Sequence, residues 1–227
     1  MTVEELFRRK GITMENGVLY TSAPNNDVDL GPIDPYAYDE TKLHEHWGYS
    51  YITYVQEQGL MVGIGNGLFG PEYPMTRAMF ATVLARLSEE DLSGYTNPFT
   101  DVKNGEWYSE AISWAAAKGI IQGYGNNTFA PDKYVTREEA AIMIANFLSY
   151  YDLTINGEVI VRFNDESKIS PWAKEEVNIV VNKGIMNGVG NGLFDPQGTT
   201  SRAQAATILT KLHQMMISNP SLMGNNI

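Results

Sequence analysis

The chain has 227 residues, 43% apolar and 19% charged, a globular rather than a disordered composition. A formal charge of −11 excludes a nucleic-acid binder working by broad phosphate neutralisation, so any anion site must be local and built from placed groups. With no cysteine, the chain has no disulfide, thiolate metal site or cysteine nucleophile.

Residues 1 to 35 form a leader. Thr2 and Glu5 fit the cap of a short helix, and Asn16-Gly17 marks a hairpin turn. The opening MTVEELFRRKGI lacks the apolar stretch of a secretory signal, so either export is not intended or the chain is an excised portion of a longer one. No run approaches the length of a membrane-spanning helix, and no membrane insertion is expected.

From residue 36 one unit occurs three times, over 36–95, 96–152 and 153–213. Each copy carries a tryptophan (Trp47, Trp107, Trp172) followed twelve residues later by glycine (Gly59, Gly119, Gly184). Phe69, Phe129 and Phe194 come next, then Pro71, Pro131 and Pro196. A hydroxyl residue (Thr76, Thr136, Ser201) precedes Arg77, Arg137 or Arg202, always thirty residues after the tryptophan. A spacing that admits no insertion marks a folded unit.

Each unit reads as helix, glycine loop, helix. In the third, Ser170 suits an N-cap and Pro171 the first turn, and Gly184 ends the first helix. In the loops, Asn66, Asn126 and Asn191 suit left-handed turns. The second helix repeats an apolar stripe: Phe80, Val83, Leu84 and Leu87; Ala140, Met143, Ile144 and Phe147; Ala205, Ile208, Leu209 and Leu212. One helix pair cannot bury such a stripe alone, and three copies packed together predict a mainly α fold with a pseudo-threefold helical core. A second hairpin is expected at Asn156-Gly157, inserted at the start of the third copy, and residues 214–227 read as a flexible tail.

Phe99, Asp101 and Val102 before Trp107, then AI, GI, G-x-G, F-x-P and TREE, resemble the S-layer homology motif. The third copy matches with Phe163, Asp165 and SRAQ. The first matches from Trp47 onward, reads TRAM, and has only Tyr38 and Glu40 for its F-x-D segment. The resemblance implies a three-part spindle around a central three-helix bundle. It also implies a non-catalytic module that anchors surface proteins to a bacterial cell-wall polysaccharide bearing pyruvate ketals, gripped in grooves between repeats by the arginine. A place at the cell surface or in the S-layer, and other surface-layer domains as further partners, follow from the same likeness; no cofactor and no metal are implied.

Read from the residues, TREE is a capping box, and SRAQ can form one through Gln204; TRAM lacks the reciprocal partner at Met79. The arginine opposes the helix dipole and adds nothing to the buried stripe. A cation beside free helix amides is what a carboxylate ligand uses, so Arg77, Arg137 and Arg202 are expected to bind one. Trp47, Trp107 and Trp172 are open to two readings, core residues or platforms for a sugar ring. Asp101 and Asp165 either hold sugar hydroxyls or cap the following helix. The middle copy alone has Tyr124 where the others have Ile64 and Val189.

Other chemistries fit poorly. GNGLFG at 65–70 has the letters of a dinucleotide fingerprint, but no buried strand leads into it. The loops lack the acidic ligands of a calcium site, and His44 and His46 stand two apart, off a common helical face. No catalytic constellation assembles. The alternative to glycan anchoring is a structural or assembly module with degenerate grooves that binds protein.

Overall fold

The computed structural model describes residues 12–15, 18–21, 36–153 and 162–219. The expected helix near Thr2 and the hairpin at Asn156-Gly157 lie outside these. Strands β1 (Ile12–Glu15) and β2 (Val18–Thr21) pair antiparallel with Glu15 opposite Val18, while the turn expected at Asn16-Gly17 lies outside the described residues. The rest of the described chain is mainly helical. The first helices of the three copies are α1 (Tyr49–Glu57), α3 (Ser109–Ala117) and α5 (Lys174–Asn182). The second helices are α2 (Arg77–Ser88), α4 (Arg137–Tyr150) and α6 (Arg202–Ile217). The last of these carries helix four residues into the segment expected to be a tail.

The described residues fall into two compact units. One holds the residues up to Tyr73 with Ser201–Thr210; the other holds Pro74–Thr200 with the residues from Lys211 onward. In the second unit α2 packs on α3 and α4, and α4 packs on α5.

The apolar stripe behaves as its period dictates. Every residue of the three stripes is buried, from Phe80 to Leu212. Fully burying a Val, Leu, Ile, Phe or Met side chain contributes about 1.5–3 kcal/mol, and ten of these twelve positions hold one. The first helices end as expected, with Gly59, Gly119 and Gly184 at positive φ. Gly63, Gly123 and Gly188 are required for a different reason. A β-carbon there would meet the carbonyl oxygen of Leu68, Thr128 or Leu193 at 2.4–2.6 Å, closer than backbone can yield. Asn66, Asn126 and Asn191 take the expected left-handed geometry.

The residues just before the second helices, Met75, Val135 and Thr200, are joined by three backbone hydrogen bonds. The Met75 amide donates to Thr200 (2.8 Å), Thr200 to Val135 (3.1 Å), and Val135 to Met75 (3.0 Å). This closed cycle brings the starts of α2 and α4 and the residue before Ser201 to one place, and satisfies donors that a buried loop would otherwise leave unpaired.

Candidate functional site

The second helices start as the capping rules require. Thr136 accepts from the Glu139 amide while the Glu139 carboxylate accepts from the Thr136 amide, a complete capping box. Ser201 and Gln204 repeat it, and Thr76 accepts from Met79 without a return bond. The next amides are not free. Those of Arg77 and Ala78 donate to Lys133 and Pro131; those of Arg137 and Glu138 to Gly198 and Pro196; those of Arg202 and Ala203 to Tyr73 and Pro71. Carbonyls of a neighbouring copy's proline loop thus fill the helix ends, which corrects the expectation of open N–H groups awaiting an anion.

The arginines follow the same pattern. Arg77, Arg137 and Arg202 are only 3%, 4% and 7% exposed. Their Nε atoms donate to Phe129, Phe194 and Phe69 carbonyls at 2.7–2.8 Å, and their Nη2 atoms donate to Gln122, Asn187 and Val62 carbonyls. Each guanidinium also lies 4.5–4.8 Å from the centre of the same phenylalanine ring. The arginine of the first copy is held by the loop of the second, that of the second by the third, and that of the third by the first. The residue that seemed structurally idle is therefore a clamp between copies. Burial lowers the Arg137 guanidinium to about 10, partly offset by the Asp195 and Asp165 carboxylates, and it stays charged at neutral pH.

Asp101 and Asp165 accept from loop amides rather than capping the helix that follows. Asp101 accepts from the Phe129 and Ala130 amides at 2.8 and 2.7 Å, and Asp165 from Phe194 and Asp195 at 2.9 and 2.8 Å. Burial pushes the Asp165 carboxyl up, but the Phe194 and Asp195 amides outweigh it and hold it below the usual carboxylate range. Each aspartate pins a tight turn whose second residue has positive φ. In the first copy Glu40 does this work, accepting from Gly70 at 2.6 Å.

The tryptophans divide. Trp47 and Trp172 are 59% and 57% exposed, and Trp107 is half-buried. The core tryptophan is Trp114, which donates to Glu90. Both exposed tryptophans sit on segments that touch an arginine-bearing helix start. A β-carbon on Gly48 would lie 3.4 Å from Ala203, next to Arg202. Ser170, two residues before Trp172, gives its amide and hydroxyl to Glu138, next to Arg137. That bond is also why Ser170 does not cap its own helix.

Sequence reasoning missed Glu138. It is buried, it takes a third bond from Gln197, and it fastens the segment carrying Trp172. Its signal was its departure from Ala78 and Ala203. His46 plays a comparable part for Trp47: its Nδ1 accepts from the Gly48 amide, so Nε2 carries the proton and donates to Glu72 at 2.8 Å. His44 is exposed beside Glu45.

The described residues thus form a tandem-repeat helical module with clamped loops and exposed aromatic residues at repeated positions. No described helix is long and apolar enough to cross a membrane. The S-layer homology domain model matches residues 43–81, 98–141 and 162–206, more than half of the sequence, and the chain belongs to that family. Domains of this family are surface-anchoring modules. The chain is 34% identical over 170 residues to an exoglucanase, XynX, of Acetivibrio thermocellus, covering 74% of this chain and 15% of that protein. It is 33% identical to an amylopullulanase of Thermoanaerobacterium thermosulfurigenes (81% of this chain, 10% of that protein) and 31% to the S-layer protein sap of Bacillus anthracis (74% and 20%). The aligned region is thus a fifth or less of each of these relatives.

Proposed function

We propose that the chain anchors a protein to the bacterial cell surface by binding an anionic, pyruvate-bearing cell-wall polysaccharide. Trp47 and Trp172 are the sugar platforms, and the grooves they flank are framed by Arg202 and Arg137. The observation that carries this reading is the pair of exposed indoles in one register, each on a segment that touches the start of an arginine-bearing helix. An indole face left in water forgoes burial worth several kcal/mol, a cost that stacking on a sugar ring offsets. The arginine acts from below: it holds the loop that forms the groove wall and contributes a positive potential in a region of low dielectric. Asp101 and Asp165 shape the loops rather than touch sugar. Any catalytic activity belongs to whatever the module anchors.

Calorimetric titration with purified wall polysaccharide, before and after chemical removal of its pyruvate groups, tests the proposal. Binding lost with the pyruvate is the expected result. Equal binding to both forms moves recognition to neutral sugar, and binding to neither overturns the glycan-anchoring reading in favour of a protein-binding assembly module.

A further inference from the structure

The two exposed indoles are fastened by different chemistry. Ser170, ahead of Trp172, is held by the Glu138 carboxylate. Trp47 is held by an imidazole. His46 Nδ1 accepts from the Gly48 amide at 2.9 Å, and this bond closes a small ring across the backbone of Trp47, the residue between them. His46 Nε2 donates to Glu72 Oε1 at 2.8 Å. The imidazole is 3% exposed, with the centre of the Tyr38 ring, set edge-on, at 5.1 Å and that of the Trp47 ring at 5.2 Å. Gly48 stands at the start of α1 and gives it no side-chain cap; a β-carbon there would lie 3.2 Å from Nδ1, so the close approach belongs to glycine.

The bond to Gly48 exists in one protonation state only. With the hydrogen on Nε2, Nδ1 is an acceptor; a second proton makes it a donor facing the Gly48 N–H, and the bond is lost. The charges around the ring accommodate that proton. Glu72, 45% exposed, stays paired with Nε2 in either state. Asp39, Glu40 and Glu45, in and before the turn Glu40–Glu45, act on Tyr38, the ring against His46, and Lys42 on that turn faces Asp39. On α6, Arg202 precedes Ala203, which borders Gly48, and gives its guanidinium to the Phe69 and Val62 carbonyls. Proton uptake therefore has a destination: an imidazolium paired with Glu72 and a released Gly48 amide. In the other copies the residue before the tryptophan is Glu106 or Pro171.

We propose that His46 positions Trp47 for its sugar, and that protonation of His46 frees the Gly48 amide and loosens the platform, so that glycan binding at Trp47 weakens in mild acid while binding at Trp172 persists. This rests on the anchoring function proposed above. Imidazoles gain their proton between about pH 8 and pH 5, where ordinary carboxylates, of protein or polymer, keep their charge. A fall in pH over that range thus acts on the fastening of Trp47 and leaves the ligand unchanged.

The test is nuclear magnetic resonance on wild type and His46→Asn between about pH 7.5 and pH 5, free and with purified pyruvate-bearing wall polysaccharide. An asparagine oxygen accepts an amide two residues on and takes no proton. In the free wild type, protection of the Gly48 amide against hydrogen exchange is expected to fall by about tenfold as the His46 ring titrates, the loss of one hydrogen bond. Affinity read at the Trp47 indole should weaken by about five- to tenfold over the same range and hold at Trp172, and His46→Asn should bind at Trp47 without pH dependence. A ring that stays neutral to pH 5, Gly48 protection that does not change as the ring titrates, or a pH response at Trp47 that survives in His46→Asn overturns the inference. A wild type that binds no polymer contradicts the anchoring reading, while Gly48 protection in the free protein still decides the switch. Should His46→Asn not fold, the wild type decides alone, with Trp172 as internal reference.

Discussion

Replacing Arg137 with alanine removes a clamp rather than a surface charge, and its cost can be worked from the bonds. Two carbonyl oxygens lose their donors, that of Phe194 in a buried bond of 2.7 Å and that of Asn187 in a part-buried one of 2.6 Å. A buried acceptor stripped of its partner costs about 1–3 kcal/mol, and the contact with the Phe194 ring adds roughly 0.5–2 kcal/mol. Water entering the vacated space offsets part of this, which leaves about 3–5 kcal/mol, a large share of the 5–15 kcal/mol typical of whole domains. Urea unfolding followed by tryptophan fluorescence should place the midpoint at least about 1 M below wild type, given a typical slope of 1–3 kcal/mol/M. The exposed Arg162 is the control, and its alanine variant should stay within about 0.5 kcal/mol of wild type. If Arg137→Ala unfolds at the wild-type midpoint, the arginine is not a clamp and the case for it as a solvent-facing ligand group returns. Loss of wall binding in this variant cannot be assigned to a lost ligand contact without the stability measurement beside it.

Three other outcomes follow from the same geometry. Trp47→Ala and Trp172→Ala should each weaken polysaccharide binding by about five- to tenfold, on roughly 1 kcal/mol of stacking, with the thermal midpoint unchanged, because both rings are exposed. Trp114→Ala, in the core, should cost about 3–5 kcal/mol of stability. Asp165, Glu139 and Glu90 are each held below the ordinary carboxylate range in the folded protein. Their contribution to stability is complete above the unfolded values near pH 4 and is lost as pH falls through the lower folded values, so denaturant midpoints measured between pH 6 and pH 2 should drop only on the acid side. The Thr200 hydroxyl is buried with no protein partner, where the second copy has Val135. Thr200→Val should raise stability by about 1 kcal/mol in thermal or urea unfolding, since it removes an unpaired buried hydroxyl and keeps the shape.

What was legible in the sequence is what repeats with a period or a fixed offset. The stripes of α2, α4 and α6, the terminal glycines, the left-handed asparagines and the capping box at Thr136 are local rules, and the structure obeys them. The destination of the arginines was not legible, because their partners are backbone carbonyls 45 to 140 residues away, and no residue type advertises a carbonyl. The same gap hid the roles of Asp101 and Asp165, whose partners are amides of their own loops. It also hid Glu40, whose longer side chain reaches the equivalent turn in the first copy. Glu138 and Glu139 illustrate a further limit. Adjacent and chemically identical in TREE, they face different elements, and only the fold separates an anchor for the Trp172 segment from a capping residue paired with Arg77. Exposure of Trp47 and Trp172 could not be read from composition, since burial of an aromatic at a helix start depends on what the neighbouring copy places over it.

The most direct measurement is a nuclear magnetic resonance titration of the four indole N–H signals with wall polysaccharide. The account predicts that Trp47 and Trp172 shift on addition of the pyruvate-bearing polymer, that Trp114 stays still, and that removing the pyruvate groups abolishes the shifts. Signals of Trp47 and Trp172 that do not move at saturating polymer would contradict it.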